Sequence, residues 1–409
     1  MGPWPLSLQQ QRHLDGERAR GRRPENIVAV FRLLAPPDPS RFRDAFAEQV
    51  RLHPLLRARV VERPGAAELR IADDDQVPLS VYTDEPERSV DALLARHRGT
   101  VFDRALGPCW SALILRGTDG VRYLSLAFDH LIWDGMSLDS FLAGVCGAAP
   151  ADGELRPYGE FVRWQASTFT DCGASGLDHW RRTLEGTAVN RPVDLPYCLS
   201  PTGPISGHTL VEDAWVGADA AAALTVRCAR ARTTRFVYVL AAFLSVLARA
   251  SGQCDLSVKV SVHGRPPGYE RTVGWFANDV VLRVRDAGGG RDLTLPRVRA
   301  AWLDALEHQL VPYPLVLRCV EPERRITDHR PATVGCNART VPLRLDALGT
   351  PMVLRSMSGG AERQGIHLDV VQWGEDLLLR CAFDRARFRG ADIAGLLRQL
   401  VDELLPDTV

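Results

Sequence analysis

Residues 28–34 are apolar apart from Arg32 and stop at Ala35-Pro36-Pro37, which reads as a mostly buried strand ended by a break. The period then changes. Phe42, Ala45, Phe46 and Val50 recur at helical spacing, predicting a helix over 40–52 with Ser40 as its cap. Before these, Ser7 stands ahead of a short helical run at 8–12. Segments 55–61, 69–71 and 79–81 read as strands, and 90–97 as a helix with Leu93 and Leu94 on its apolar side. Strands at 110–115 and 122–128 follow, joined by the hairpin punctuation Gly117-Thr118-Asp119-Gly120. Helices are expected from about 137 to 145, over 158–169 and over 177–184, with a Gly- and Pro-rich loop at 147–153.

Residues 186–207 are rich in proline and glycine and make the best candidate hinge. Beyond it the pattern predicts helices over 218–230, 236–250 and 295–309, and strands over 256–262 and 279–284. Strands near 332–336, 368–372 and 377–383 and a helix from about 391 to 405 complete the chain. Strands and helices are mixed in both halves, so the expected class is α+β in two lobes, 1–175 and 176–409.

Length agrees, since 409 residues exceed one compact domain and suit two. Fifty basic and fifty acidic side chains cancel, so no net field attracts nucleic acid or an anionic membrane. Nearly all the basic residues are arginine, Lys259 being the only lysine, and Arg18, Arg20, Arg22 and Arg23 cluster near the start. That cluster suits an acidic partner or simply a solvated loop. The longest apolar run, 236–248, is too short to span a bilayer, and no signal-peptide core precedes it. Nine scattered cysteines without a Cys-x-x-Cys pair argue against a disulfide framework or a cysteine zinc site. They read as reduced thiols of a cytoplasmic protein.

The densest chemistry lies in Phe128-Asp129-His130-Leu131-Ile132-Trp133-Asp134-Gly135. Leu124, Leu126 and Phe128 share one strand face, and His130 follows in phase where the strand gives way to a loop. An imidazole there, beside two carboxylates and a glycine turn, suits a general base or an amine-positioning group. Asp134 is spaced to brace the loop by pairing with an arginine, and Gly135 permits the turn into the next helix. A lone histidine at a strand end is more often structural, and His130 with Asp134 lacks a third ligand at a metal spacing, so no metal is expected. Neither a Gly-x-Ser-x-Gly elbow nor a Walker-type phosphate loop occurs, and 288–290 read as a flexible glycine turn.

Asp129 to Gly135 resembles the His-His-x-x-x-Asp-Gly motif of nonribosomal peptide synthetase condensation domains. The likeness runs in order along almost the whole chain. Leu6-Ser7-Leu8-Gln9-Gln10-Gln11-Arg12 is similar to the family's opening motif, and Arg51-Leu52-His53-Pro54-Leu55-Leu56-Arg57 to its next. Tyr158, Phe161, Trp164 and Gln165 match its linker. His263-Gly264-Arg265 stands where the family has Ala-Gly-Arg, and Val273-Gly274-Trp275-Phe276-Ala277-Asn278-Asp279 resembles Gly-x-Phe-Val-Asn-Thr. His308-Gln309 through Pro312 resembles a helix end of the same region.

The resemblance implies two chloramphenicol-acetyltransferase-like lobes forming a V-shaped pseudo-dimer with a central tunnel, and a monomer. It implies transfer of an acyl or aminoacyl group, carried as a phosphopantetheine thioester on a peptidyl or acyl carrier protein, to an amine or hydroxyl acceptor. No bound cofactor is implied, the phosphopantetheine arm coming from the partner. His130 would be catalytic, with Gly135 offering a backbone N–H to the developing oxyanion. Asp129, Asp134, Arg265 and Asn278 would support the site, Asp134 by pairing with Arg265. Trp133, Ser137 and Trp275 are the candidate tunnel-lining residues, although a core role suits Trp133 as well.

Asp129 departs from the family, replacing the first histidine of the motif. An aspartate can hold the loop by accepting from backbone N–H groups or pairing with an arginine, and its charge can raise the pKa of His130. Heterocyclisation domains carry Asp-x-x-x-x-Asp-x-x-Ser here, and Asp129, Asp134 and Ser137 fit, but those domains lack the histidine. No adenylation or carrier segment is present, and the clean start and short tail suit a free-standing enzyme. The competing readings are a degenerate domain that recruits a partner and an acyltransferase using coenzyme A.

Overall fold

The computed structural model describes the chain except residues 1, 22–24, 64–65, 83–89, 148–154, 172, 174–175, 187–192, 201–205, 207, 324–332, 342–343, 359–364 and 406–409. Arg22, Arg23, most of the candidate hinge and the C-terminal tail therefore lie outside the described residues. The chain divides into two units, the first comprising Met1–Thr170, His263–Ala277 and Leu343–Ala361, the second the remainder. This differs from a single cut at 175, because two segments of the second half fold into the first unit.

In chain order the first unit begins with β1 (Trp4–Pro5), α1 (Leu8–Arg20), β2 (Asn26–Leu33) and α2 (Pro39–Leu52). There follow β3 (Ala58–Arg63), β4 (Ala66–Ile71), β5 (Leu79–Tyr82) and α3 (Val90–Arg98). Then come β6 (Trp110–Arg116), β7 (Arg122–Asp129), α4 (Gly135–Val145) and α5 (Tyr158–Thr168). The second unit starts with α6 (Leu177–Thr183), β8 (Thr209–Val216), α7 (Ala218–Arg230), α8 (Arg235–Ser251) and β9 (Leu256–Val262). It continues with β10 (Asn278–Val284), α9 (Arg291–Glu307), α10 (Tyr313–Val320) and β11 (Val334–Val341). After β12 (Arg344–Ala347) and β13 (Thr350–Ser358), which belong to the first unit, β14 (Ile366–Trp373), β15 (Asp376–Asp384) and α11 (Gly390–Leu404) finish the second.

Local chemistry sets the helix starts. Ser7 and Gln10 form a reciprocal capping box on α1, the Ser7 hydroxyl accepting from the Gln10 N–H at 3.2 Å and the Gln10 side chain from the Ser7 N–H at 2.9 Å. α2 starts one residue earlier than the pattern predicted. Asp38, not Ser40, caps it by accepting from the N–H groups of Ser40 and Arg41, and Pro39 takes the first turn, where its missing N–H costs nothing.

The first unit's main sheet runs β12-β13-β2-β7-β6-β5, and a smaller one β1-β4-β3. Its central strand, β7, is buried on both faces. Ala127 joins Leu93 and Leu94 of α3 on one side. On the other, Phe128 meets Trp110 of β6 and Phe141 of α4, and Phe46 of α2 packs on both. The strand that closes one side of β2 comes from 350–358, over 300 residues away, and nothing local announces it.

The second unit has one sheet, β10-β9-β11-β14-β15-β8, in which β11 lies parallel to both neighbours. α8 is buried from Val237 to Ala248, which explains an apolar stretch with no polar face. Among the described residues no single helix is long and apolar enough to cross a membrane. One expectation is corrected: Cys319 is disulfide-bonded, whereas Cys109, Cys146, Cys198, Cys228, Cys254, Cys336 and Cys381 are free thiols. Spacing along the chain says little about which cysteines the fold brings together.

Candidate functional site

β7 ends at Asp129, paired across to Asn26, and the His130 N–H donates to the Glu25 carbonyl at 3.0 Å. A single 3₁₀ turn, His130–Ile132, then swings the chain towards α4. Asp129 caps this turn, accepting from the Leu131 N–H at 2.9 Å. From α1, Gln10 donates to the Leu131 carbonyl at 2.7 Å, so the opening motif buttresses the histidine turn. Gln165 of α5 secures α1 in turn by accepting from the Leu8 N–H at 2.8 Å.

Asp129 is engaged by an arginine. Its carboxylate takes a two-pronged bond from Arg104, Nε to Oδ2 at 2.7 Å and Nη2 to Oδ1 at 2.8 Å, and Arg104 also bonds Glu17. Burial would raise the Glu17 pKa, but hydrogen bonds from His13 and Arg104 outweigh it and hold the carboxyl at about 2. The expected effect of Asp129 on His130 is thus replaced by that of other carboxylates. The His130 pKa lies below its ordinary value, first through burial and then through the neighbouring His13, while Glu25 and Asp134 oppose the shift.

The ring of His130 is fixed. Nδ1 lies 2.9 Å from the Trp133 carbonyl oxygen, which can only accept, so Nδ1 carries the proton and Nε2 holds the lone pair. Among the described residues nothing bonds to Nε2. Trp275 lies against the ring at 4.2 Å between centroids, and His13 of α1 meets Trp275 edge-on at 5.3 Å. A half-buried, neutral imidazole with one oriented lone pair can take a proton from an N–H or O–H acceptor.

Asp134 sits 1% exposed and caps α4. Arg265 grips it with two bonds of 2.8 Å, and it also accepts from the Ser137 N–H and hydroxyl and from the N–H groups of Phe276 and Ala277. Burial would raise its pKa, but the Arg265 charge and these bonds outweigh that and lower it. Asp134 thereby joins the histidine loop to the segment that carries Trp275. Gly274 is needed there, because a Cβ would lie 2.2 Å from the Tyr158 ring.

Some expected roles change. Trp133 is fully buried and stacks on Phe128 at 3.6 Å between centroids, making it a core residue. Ser137 is also fully buried, its single hydroxyl proton shared between Asp134 and the Gly274 carbonyl and its oxygen accepting from the Gly274 N–H, so it braces the loop instead of lining a passage. Gly135 has no left-handed backbone. It opens α4 with an N–H that the helix does not use, and a Cβ there would meet nothing within 4 Å. Asn278 belongs to the second unit, where its amide donates to the carbonyls of Gln309 and Val311 and its oxygen accepts from the Tyr313 N–H.

Sequence reasoning missed His13, Glu17, Glu25 and Arg104. Only the four-residue spacing of His13 and Glu17 on one helix face hinted at their pairing, which the structure places at 3.4 Å. Arg104 lies in an irregular segment and carries no pattern of its own.

Fold and site define a two-lobed, mixed α+β protein with a histidine loop locked by a buried Asp–Arg pair. A family model described as "Condensation domain" matches residues 4–405. The chain belongs to the condensation-domain family of nonribosomal peptide synthesis. It is 30% identical to phosphinothricin tripeptide synthetase PhsC of Streptomyces viridochromogenes over 81% of its length and 32% of that protein. It is 31% identical to chondramide synthase cmdD of Chondromyces crocatus over 70% of its length and 8% of that protein. The chain thus spans a third or less of these curated relatives. Among solved structures, the X-domain from teicoplanin biosynthesis aligns at TM-score 0.81 and 18% identity, covering 98% of this chain and 94% of that one. SgcC5 from Streptomyces globisporus aligns at TM-score 0.77 and 20% identity, covering 98% and 97%. These likenesses establish the fold.

Proposed function

We propose that the chain condenses a carrier-bound acyl or aminoacyl thioester with an amine or hydroxyl acceptor. The observation that carries this reading is the His130 ring, whose Nδ1–H is spent on the Trp133 carbonyl and whose Nε2 lone pair is therefore available. In the reaction the acceptor nitrogen or oxygen attacks the thioester carbonyl, the new C–N or C–O bond forms and the C–S bond breaks. His130 Nε2 takes the acceptor's proton and returns it to the departing thiolate. The Gly135 N–H, left over at the start of α4, is the donor we assign to the developing oxyanion. Asp134 and Arg265 hold this loop without touching substrate. The donor's phosphopantetheine arm belongs to a partner carrier protein, and this reading asks for no cofactor of the chain's own.

Carrier protein loaded with acyl and aminoacyl thioesters, mixed with a panel of amines and alcohols, tests the proposal by mass spectrometry of the products. His130→Ala should lose about 10²–10⁴-fold in turnover with carrier affinity unchanged. Equal turnover by His130→Ala would remove the histidine from the mechanism, and competition by free coenzyme A would move the donor to a soluble thioester. A second reading, a module that recruits a partner without chemistry, is favoured by the Trp275 ring that lies against His130. It predicts partner binding with no product from any thioester.

A further inference from the structure

The second unit holds a side-chain constellation that acyl transfer does not use. Asp304 stands in the last turn of α9 and His308 is its C-cap, four residues on, so the two project from the same side. α6 brings in His179. Its ring lies 4.0 Å from that of His308, nearly parallel at 20°, and its Nδ1 lies 3.6 Å from Asp304 Oδ1.

That last separation is too long for a hydrogen bond and close to the ~3.3 Å expected between two ligands on a tetrahedral ion with bonds of ~2.0–2.1 Å. One ligand atom from each of the three residues falls within 4.8 Å of the others. We propose that His179, Asp304 and His308 bind a divalent transition-metal ion, zinc above all.

Three further features support the site. His179 Nε2 lies 3.4 Å from the Thr183 hydroxyl one turn along α6, which orients the ring and leaves Nδ1 for the ion. Gly176, where α6 starts, has φ +88°, and a Cβ there would come within 2.7 Å of Val311 and 3.5 Å of His308 Nδ1. The left-handed backbone and the closeness of Val311 call for glycine where α6 begins beside His308. Two imidazoles and one carboxylate suit zinc, copper or nickel and not magnesium or calcium.

The charges around His179 are Asp304 and Glu307, which attract a cation, and Arg182, which repels it. The Asp304 side chain is 58% exposed, so water can fill the fourth position. Bound there, the ion ties α6 to α9 and stabilises the second unit.

Zinc titrated by calorimetry into EDTA-treated, full-length chain should show one saturable site and raise the thermal midpoint. Asp304→Asn and His308→Ala, both at exposed or half-exposed positions, should weaken binding about 100-fold or more, with far-UV circular dichroism unchanged. Thr183→Val should weaken it about 10-fold. Cobalt should give a d–d spectrum without the thiolate charge-transfer band that exposed Cys254 would produce. No saturable zinc site, or undiminished zinc affinity in the Asp304→Asn/His308→Ala double variant, would overturn the proposal.

Discussion

Asp134 offers the sharpest energetic test. Both it and Arg265 are about 1% exposed at the side chain, so solvent screens neither. Its two oxygens accept two bonds from Arg265, two from Ser137 and two from the backbone of Phe276 and Ala277. Asp134→Asn keeps the shape, removes the charge and turns an NH₂ towards groups that, apart from the Ser137 hydroxyl, only donate. Breaking one side of a buried ion pair costs about 3–5 kcal/mol, mostly as the stranded charge of the partner. With a denaturant slope of ~2.5 kcal/mol per molar urea, the midpoint should fall by about 1–2 M. The measurement is urea unfolding of the wild type, Asp134→Asn, Arg265→Met and the double variant, followed by near-ultraviolet circular dichroism. The double variant should lose less than the two single losses combined, since no unpaired arginine remains. A single-variant loss below about 1 kcal/mol, or strict additivity, would refute the claim that the pair locks the loop.

The other predictions concern protons and the departure at Asp129. Glu17 has its pKa depressed from 4.5 to about 2, so its stabilisation is complete above pH 4.5 and fades as pH falls towards 2. Arg104→Met should flatten that acid limb in thermal midpoints measured across pH; an unchanged limb would remove Glu17 as its cause. Burial lowers the His97 pKa to about 4, its ring nitrogens lying 2.8 Å from the Ser125 and Ser111 hydroxyls. The folded state therefore favours neutral imidazole, and this contribution is present above pH 6.5 and lost as pH drops from 6.5 to 4. Imidazole nuclear magnetic resonance should show His97 neutral at pH 5.5, and a midpoint near 6.5 would contradict its burial. Asp129→His, which restores the family's usual residue, should destabilise by about 3 kcal/mol in urea unfolding because Arg104 loses its two-pronged partner.

What could be read from the sequence divides by range. The elements over 110–145 and 218–262 have single-period patterns and local caps, and the structure places them within one or two residues of the reading. β8, β12, β13 and α10 were not foreseen. β8 is mostly exposed and alternates weakly, and β13 joins the sheet through β2, far away in sequence, with only the short β12 as a local partner. The Asp134–Arg265 pair was legible because a family motif carries it. The Arg104 network was not, since an isolated arginine in an irregular segment has neither period nor motif. For Trp133 the family resemblance offered a lining role beside a core one, because a motif match cannot tell which way a side chain in a turn points. Its stacking on Phe128 decides the matter for the core.

The replacement of a histidine by Asp129 is therefore not simply a lost residue. An aspartate placed there alone would be a buried charge costing several kcal/mol, and the fold surrounds it with what offsets that cost. Arg104 supplies the countercharge, Glu17 takes the remaining guanidinium face, and the Leu131 N–H uses Oδ1 to cap the turn. The Asp129 oxygens are taken up by Arg104 and the Leu131 N–H, while the His130 ring has its own fixing bond to the Trp133 carbonyl. Orientation of the imidazole and support of the loop are thus carried by different groups. A change of side chain at 129, with its partners, alters how the loop is held while leaving the Nε2 lone pair where it was.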